Sequence, residues 1–368
     1  MTEMGPQRKY LPQVDFLKGL AILSVIVLHS APSQCLYMVW AHFHIWQAVP
    51  VFVILMGVTS NLAVSHGGVL TLRQSLSWPY WKGRLRRLVA PFLVVFLISL
   101  FAAVAFQGKA YLGPLTLIGY LPRTGPGNYY VSILLQYLLL GPIVVAGWKR
   151  WPRLTVGVLF ALDLSFEIIA PHVSAFIDTP YLYSACILRY LAAIAMGLWI
   201  ADELAETGTV CLGARRNRFI LTIVPFSLAY LIVGQFIRQP VPFFVDNWGL
   251  QNILGFPYAV LLVAILVRAR AIVAATLRRL VRSVETLGRA SYHIFLLQML
   301  FFGAGGSFVK YSYFGVWPID PLVGLILNIT FTVAAGIVFW RIDGWVRFST
   351  SESREYRPSK GQGSACER

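Results

Sequence analysis

The sequence predicts an all-α polytopic membrane bundle of about ten transmembrane helices, with both termini in the cytoplasm. Three observations carry this. Apolar runs of about twenty residues, the length that crosses a hydrocarbon core as helix, recur along the whole 368-residue chain. Only 12% of the residues are charged, half of the roughly 25% usual in soluble domains. The basic residues also alternate by side. With the N-terminus in the cytoplasm, and with Lys18 and Arg153 counted at span entrances, the cytoplasmic segments hold 26 of the 31 Lys and Arg. The outer connections hold four (Lys109, Arg123, Arg238 and Lys310), and Arg189 lies within a span. An asymmetry that alternates without a break is what positive-inside insertion produces.

The spans are bounded by charge clusters and Gly/Pro breaks at 14–34, 43–65, 88–107, 128–148, 153–172, 182–201, 219–237, 248–267, 290–309 and 321–340. Arg8 and Lys9 precede the first, but no small-x-small cleavage site follows it, so it reads as a retained span. Residues 1–345 form one membrane-embedded domain, and 346–368 read as a polar cytoplasmic tail, disordered by composition. The net charge of +16 would suit nucleic acid, but topology and anionic lipid headgroups account for it, which argues against that partner. Cys35, Cys186, Cys211 and Cys366 show no metal or redox spacing, so no metal is expected.

Polar residues inside such a bundle narrow the chemistry. In VDFLKGLAILSVIVLHS, residues 14–30, Lys18 and His29 fall nearly on one helical face, about 16 Å apart along the axis. Asp15 lies close to that face, three residues from Lys18, and reads as its ion-pair partner. At about 21 Å it cannot orient the His29 imidazole. His29 has two readings: a functional titratable group deep in the membrane, or a polar residue satisfied by a neighbouring helix or the outer headgroup zone. In YWKGRLRRLVAPF, residues 80–92, Arg84 and Arg87 share a helical face and Arg86 turns away. Arginine forks bind phosphates bidentately, although a bare RLRR at a span entrance also serves to fix topology. Asp163 and Glu167 share a face of the fifth span, with Glu167 at about the depth of His29. Glu167 therefore either orients the imidazole or pairs with Arg189. His42, His44 and Asp246 read as solvated outer residues.

These stretches resemble the acyltransferase-3 family of integral membrane O-acyltransferases. DFLKGLAILSVIVLH resembles the family's opening D-x-x-R-G-x-A-x-x-x-V-x-x-x-H, with Lys18 in place of the arginine. Pro50, Phe52 and Gly57 in VPVFVILMG resemble its P-x-F…G signature, with Met56 where a serine is usual. Arg84 and Arg87 ahead of Pro91 match its Arg-x-x-Arg before proline. GPGNYYVSILLQYLLLGPIV and RYLAAIAMGLWIA resemble later spans, and LGRASYHIFLLQM resembles a late G-x-x-S-Y-x-I-Y-L-x-H with Gln298 replacing the histidine. The resemblance covers most of the chain in order.

The resemblance implies an O-acyltransferase that moves an acetyl or other short acyl group from cytoplasmic acyl-CoA to a hydroxyl of a sugar, glycan or lipid-linked acceptor. His29 would be the catalytic base; Glu167, singled out by its depth and not by the resemblance, is the second catalytic candidate. Arg84 and Arg87, with Lys18, would hold acyl-CoA; Lys18 keeps the charge but loses the fork. The stripe from Lys18 to His29 matches the extended pantetheine arm in order of magnitude. Gln298 can do no acid/base work. The expected location is multi-pass in the cell's inner (cytoplasmic) membrane, in contact with lipid. A glycan exporter without acyl transfer, and a silent membrane scaffold, are the competing classes, because function belongs to the site rather than the fold.

Overall fold

Proline opens many of the long helices, where a missing N–H costs no helical hydrogen bond and the fixed φ suits the first turn. The computed structural model describes residues 11–65, 77–110, 112–123, 125–215, 217–237 and 251–355. These form ten long helices: α1 (Pro12–Ser30), α2 (Ala48–Ser65), α3 (Trp78–Gln107), α4 (Tyr129–Arg150), α5 (Pro152–Ile169), α6 (Leu191–Thr207), α7 (Arg218–Ile237), α8 (Phe256–Thr276), α9 (Arg278–Gly303) and α10 (Ile319–Glu355). Short helical turns link them, and the described residues contain no β-strand. The chain is an all-α polytopic membrane bundle.

The core comprises α1, α2, α6 and α9. Helix α1 packs along α9 and against α2, while α2 packs along α6. Eleven of the 17 residues of α6 are buried, among them every one from Leu191 to Leu198. The outer helices turn apolar surface outward, as Leu93, Val94, Leu97, Ile98 and Phe101 do on α3. Hydrocarbon tails cover such a face without penalty, and the backbone polar groups stay satisfied inside the helix.

Two glycine pairs set the core spacing. A Cβ on Gly19 would collide with the Val284 carbonyl oxygen, and one on Gly288 with the Asp15 carbonyl oxygen. Each glycine thus meets the carbonyl four residues before the other, the reciprocal pattern of parallel helices in backbone contact. Gly57 and Gly197 make a like reciprocal contact, each meeting the carbonyl three residues before the other, at Ile194 and Ile54. Small residues let membrane helices approach this closely. The pairing makes α1 parallel to α9 and α2 parallel to α6, as the predicted order of crossings requires.

Several predicted boundaries move. Among the described residues nine helices are long and apolar enough to cross a membrane. The predicted sixth span, 182–201, is broken: helix Pro180–Ala185 gives way to a 3₁₀ turn, Ile187–Tyr190, before the 17-residue α6. The predicted connection 268–289 is helical except for a sharp junction at Leu277, so Arg268 and Arg270 belong to α8. There Arg270 Nε donates to Glu285 Oε1 at 2.9 Å across the junction. Helix α10 continues through the expected start of the tail to Glu355. Residues 356–368, with Cys366, lie outside the described residues, as do Arg238 and Asp246. His44 is exposed as expected. His42 is not: it is 3% exposed, its Nδ1 meets Gln235 Oε1, and its ring packs on Trp46. An outer residue followed by aromatic side chains can be folded inward, which a reading by depth alone does not anticipate.

Candidate active site

Helices α1, α2, α3, α4 and α9 enclose a cavity of about 360 Å³. Lys18, Arg84 and Arg87 line it together, so a cation of α1 meets two of α3 at one space. Lys18 comes from the first turns of α1. Asp15, one helical turn earlier, is near enough to act on it electrostatically. Arg84 and Arg87 come from successive turns of α3. Arg84 lies against α4 at Gly141, where a Cβ would stand in ordinary contact, 3.7 Å from Arg84 Nη1 and 3.4 Å from the Tyr137 ring. Arg86 points elsewhere, its Nη2 donating to the Arg347 carbonyl at 3.2 Å, in keeping with the expected division of the RLRR stretch.

Pro91 lies inside α3 and breaks the regular ladder of main-chain bonds behind it. In that turn the Tyr292 hydroxyl donates to the Leu88 carbonyl at 2.7 Å, which ties the arginine-bearing segment to α9. Tyr292 and Leu88 both line the cavity.

Away from the cations the lining becomes aromatic, with Phe52, Tyr130 and Phe295. Tyr130 meets Phe295 edge-on at 5.2 Å and Phe52 at 5.7 Å. His29 is not in the cavity wall. It lies beyond Phe295, and the two side chains meet at Gly127. A Cβ there would stand 3.3 Å from the Phe295 ring and 3.5 Å from His29 Nε2. Gly127 has φ +86°, a conformation side chains with a Cβ rarely adopt, so the backbone itself runs past the imidazole. The Phe302 ring completes this surround, 6.5 Å from that of His29.

The loop bearing Gly127 is held firmly. Asn128 Oδ1 accepts from Leu121 N at 2.9 Å, and its Nδ2 donates to the Gly119 carbonyl at 2.9 Å. Gln298 is fully buried and donates from Nε2 to the Pro126 carbonyl at 3.1 Å, while its Oε1 has no hydrogen-bond partner among the described residues. The residue standing where the resemblance has a histidine thus braces the loop beside His29.

Glu167 is elsewhere. Of its two expected readings, the structure takes the pairing with Arg189, whose Nε lies 3.5 Å from Glu167 Oε1 with both side chains 2% exposed. The Tyr183 hydroxyl donates to Glu167 Oε2 at 2.6 Å, and the Arg189 guanidinium stacks 4.3 Å from the Tyr183 ring. Asp163 Oδ2 accepts from Ala192 N at 2.9 Å and so caps the start of α6. Glu167 and His29 share no contact. The expectation that Glu167 orients the imidazole gives way to its alternative: equal depth on two helices does not bring their side chains together, and a buried guanidinium is the stronger claimant for a carboxylate.

Residues that sequence reasoning passed over are Phe295, Tyr130, Tyr292 and Gly127. Tyr292 and Phe295 stand in LGRASYHIFLLQM, and Gly127 and Tyr130 open GPGNYYVSILLQYLLLGPIV. A small, conformationally special residue beside two tyrosines at a span entrance was the available signal. Among the described residues there is no cluster of His, Cys, Asp and Glu able to hold a metal ion.

No curated protein and no solved structure matches the chain significantly. The acyltransferase-3 family model, described as an acyltransferase domain, matches residues 11–341. That match takes in nine of the ten long helices whole, α10 as far as Arg341, and every residue of the cavity. A basic cavity leading to a membrane histidine, in a bundle matched over this length, makes the chain a multi-pass membrane member of the acyltransferase-3 family.

Proposed function

We propose that this membrane acyltransferase takes an acetyl or other short acyl group from cytoplasmic acyl-CoA and transfers it to a hydroxyl of a sugar, glycan or lipid-linked acceptor. The observation that carries the reading is the convergence of Lys18, Arg84 and Arg87 on one cavity whose aromatic end adjoins His29. The guanidiniums of Arg84 and Arg87 hold phosphate oxygens with paired N–H donors, and Lys18 adds a point charge. The nucleotide stays at the basic mouth while the pantetheine arm follows α1. Between Lys18 and His29 that helix rises about 16 Å.

At the far end His29 Nε2 accepts the proton of the acceptor hydroxyl as its oxygen attacks the thioester carbonyl. The carbon–sulfur bond breaks, and the proton passes from the imidazole to the departing CoA sulfur. A histidine is suited to this because its ordinary pKa lies close to neutrality. Glu167 has no part in the step, being held by Arg189 and Tyr183.

The decisive test is transfer of label from [acetyl-¹⁴C]acetyl-CoA to a hydroxyl acceptor by the purified chain in proteoliposomes. An acyltransferase of this kind labels the acceptor, and His29→Ala does not. Movement of acceptor across the bilayer without labelling would establish the exporter instead. Mass spectrometry of cell-envelope glycans with and without the gene then identifies the acceptor by the acyl mass it loses.

A further inference from the structure

Among the residues lining the cavity, Phe295 is the one that also stands beside His29, across Gly127. Phe295 lines the cavity, packs edge-on against Tyr130, and stands against Gly127 on the side where His29 Nε2 lies. It is 3% exposed, and its helix is fixed against α1 by the Gly19–Gly288 contact. We infer that Phe295 is the specificity-determining residue for the acyl group, limiting the length of chain the donor can carry. The inference rests on the acyl-CoA reading of the cavity.

The steric argument is local. A donor whose phosphates sit at Lys18, Arg84 and Arg87 brings its thioester towards His29 past Phe52, Tyr130 and Phe295. An acyl group extending from that thioester meets the Phe295 ring, which Tyr130 on one side and the Gly127 backbone on the other keep from retreating. An acetyl methyl needs little space there, and a long alkyl chain needs the volume the ring fills. Glycine at 127 leaves the ring its present place, since a Cβ there would stand a tight 3.3 Å from it. Removing the ring joins that space to the cavity and gives additional methylenes apolar cover, each worth about fourfold in affinity when fully buried.

The test is equilibrium binding to the full-length chain in nanodiscs, by displacement of labelled CoA with CoA, acetyl-CoA, butyryl-CoA and octanoyl-CoA. No acceptor is needed. Wild type is expected to bind acetyl-CoA more tightly than octanoyl-CoA. Phe295→Ala is expected to tighten octanoyl-CoA relative to acetyl-CoA by about tenfold or more, with CoA itself unchanged within about twofold and Phe295→Leu intermediate. If the alanine variant loses CoA binding through misfolding, Phe295→Leu decides the matter. An octanoyl-to-acetyl ratio that is unchanged in the folded variants overturns the inference, as does a wild type that already binds octanoyl-CoA as tightly as acetyl-CoA. A wild type that binds no CoA overturns the donor reading itself, and the acyl limit with it.

Discussion

Arginine appears in two settings in this bundle. At the basic end, Arg84 and Arg87 join Lys18 around a cavity, with Arg84 partly exposed and Arg87 exposed. Within the bundle, Arg189 is 2% exposed, pressed against the Tyr183 ring and paired with Glu167. A guanidinium enclosed with a carboxylate and an aromatic face has its charge answered by the protein. Guanidiniums and an ammonium gathered around a space have an arrangement that a polyanionic ligand can occupy. On the proposed function, the same residue type marks structure in one place and recognition in the other, and the neighbours make the distinction.

Mutations should separate the two settings. The largest effect is expected at the end of the cavity path, where His29→Ala should lower acyl transfer by about 10²–10⁴-fold while thermal unfolding in detergent stays near wild type. Arg189→Ala should act in the opposite way. It leaves Glu167 buried and unanswered, at a cost of about 3–5 kcal/mol, read as a lower melting temperature and reduced monodisperse yield. Arg84→Ala and Arg87→Ala should each weaken acyl-CoA binding by about ten- to a hundredfold, the range for hydrogen bonds to charged groups, with little change in melting temperature. Arg189→Ala weakening CoA binding as much as these two would erase the distinction. The smallest change is expected for Lys18→Arg, which restores a fork at a partly solvated site and should tighten the donor by about two- to fivefold.

Much of the frame could be read from the chain because membrane physics writes it there. Helix number and direction follow from apolar length and the side preference of Lys and Arg, and the grouping of Arg84 with Arg87 follows from helical spacing. Lys18 was an expected addition to that pair, and the three line one cavity. What escaped depends on tertiary neighbours. Glu167 and His29 lie at similar depth, yet depth carries no information about which helices touch. The break at Cys186–Tyr190 lies in an apolar stretch that hydropathy reads as continuous. Phe295 looks like any other apolar residue of a span until Tyr130 and Gly127 are placed on either side of it. His42 turned inward because Gln235, nearly two hundred residues away, supplies its partner.

The contact between Gly19 and Gly288 acts as a length standard for the whole path. Lys18 precedes the first of these glycines, and Phe295 follows the second by seven residues, or about 10 Å of helix. Because main chain meets main chain there, no rotamer change can slide one helix along the other. The interval between the cation at the entrance and the ring at the far end is therefore fixed by backbone geometry. On the proposed function, a donor of another length would be accommodated by changing residues at one end of that interval.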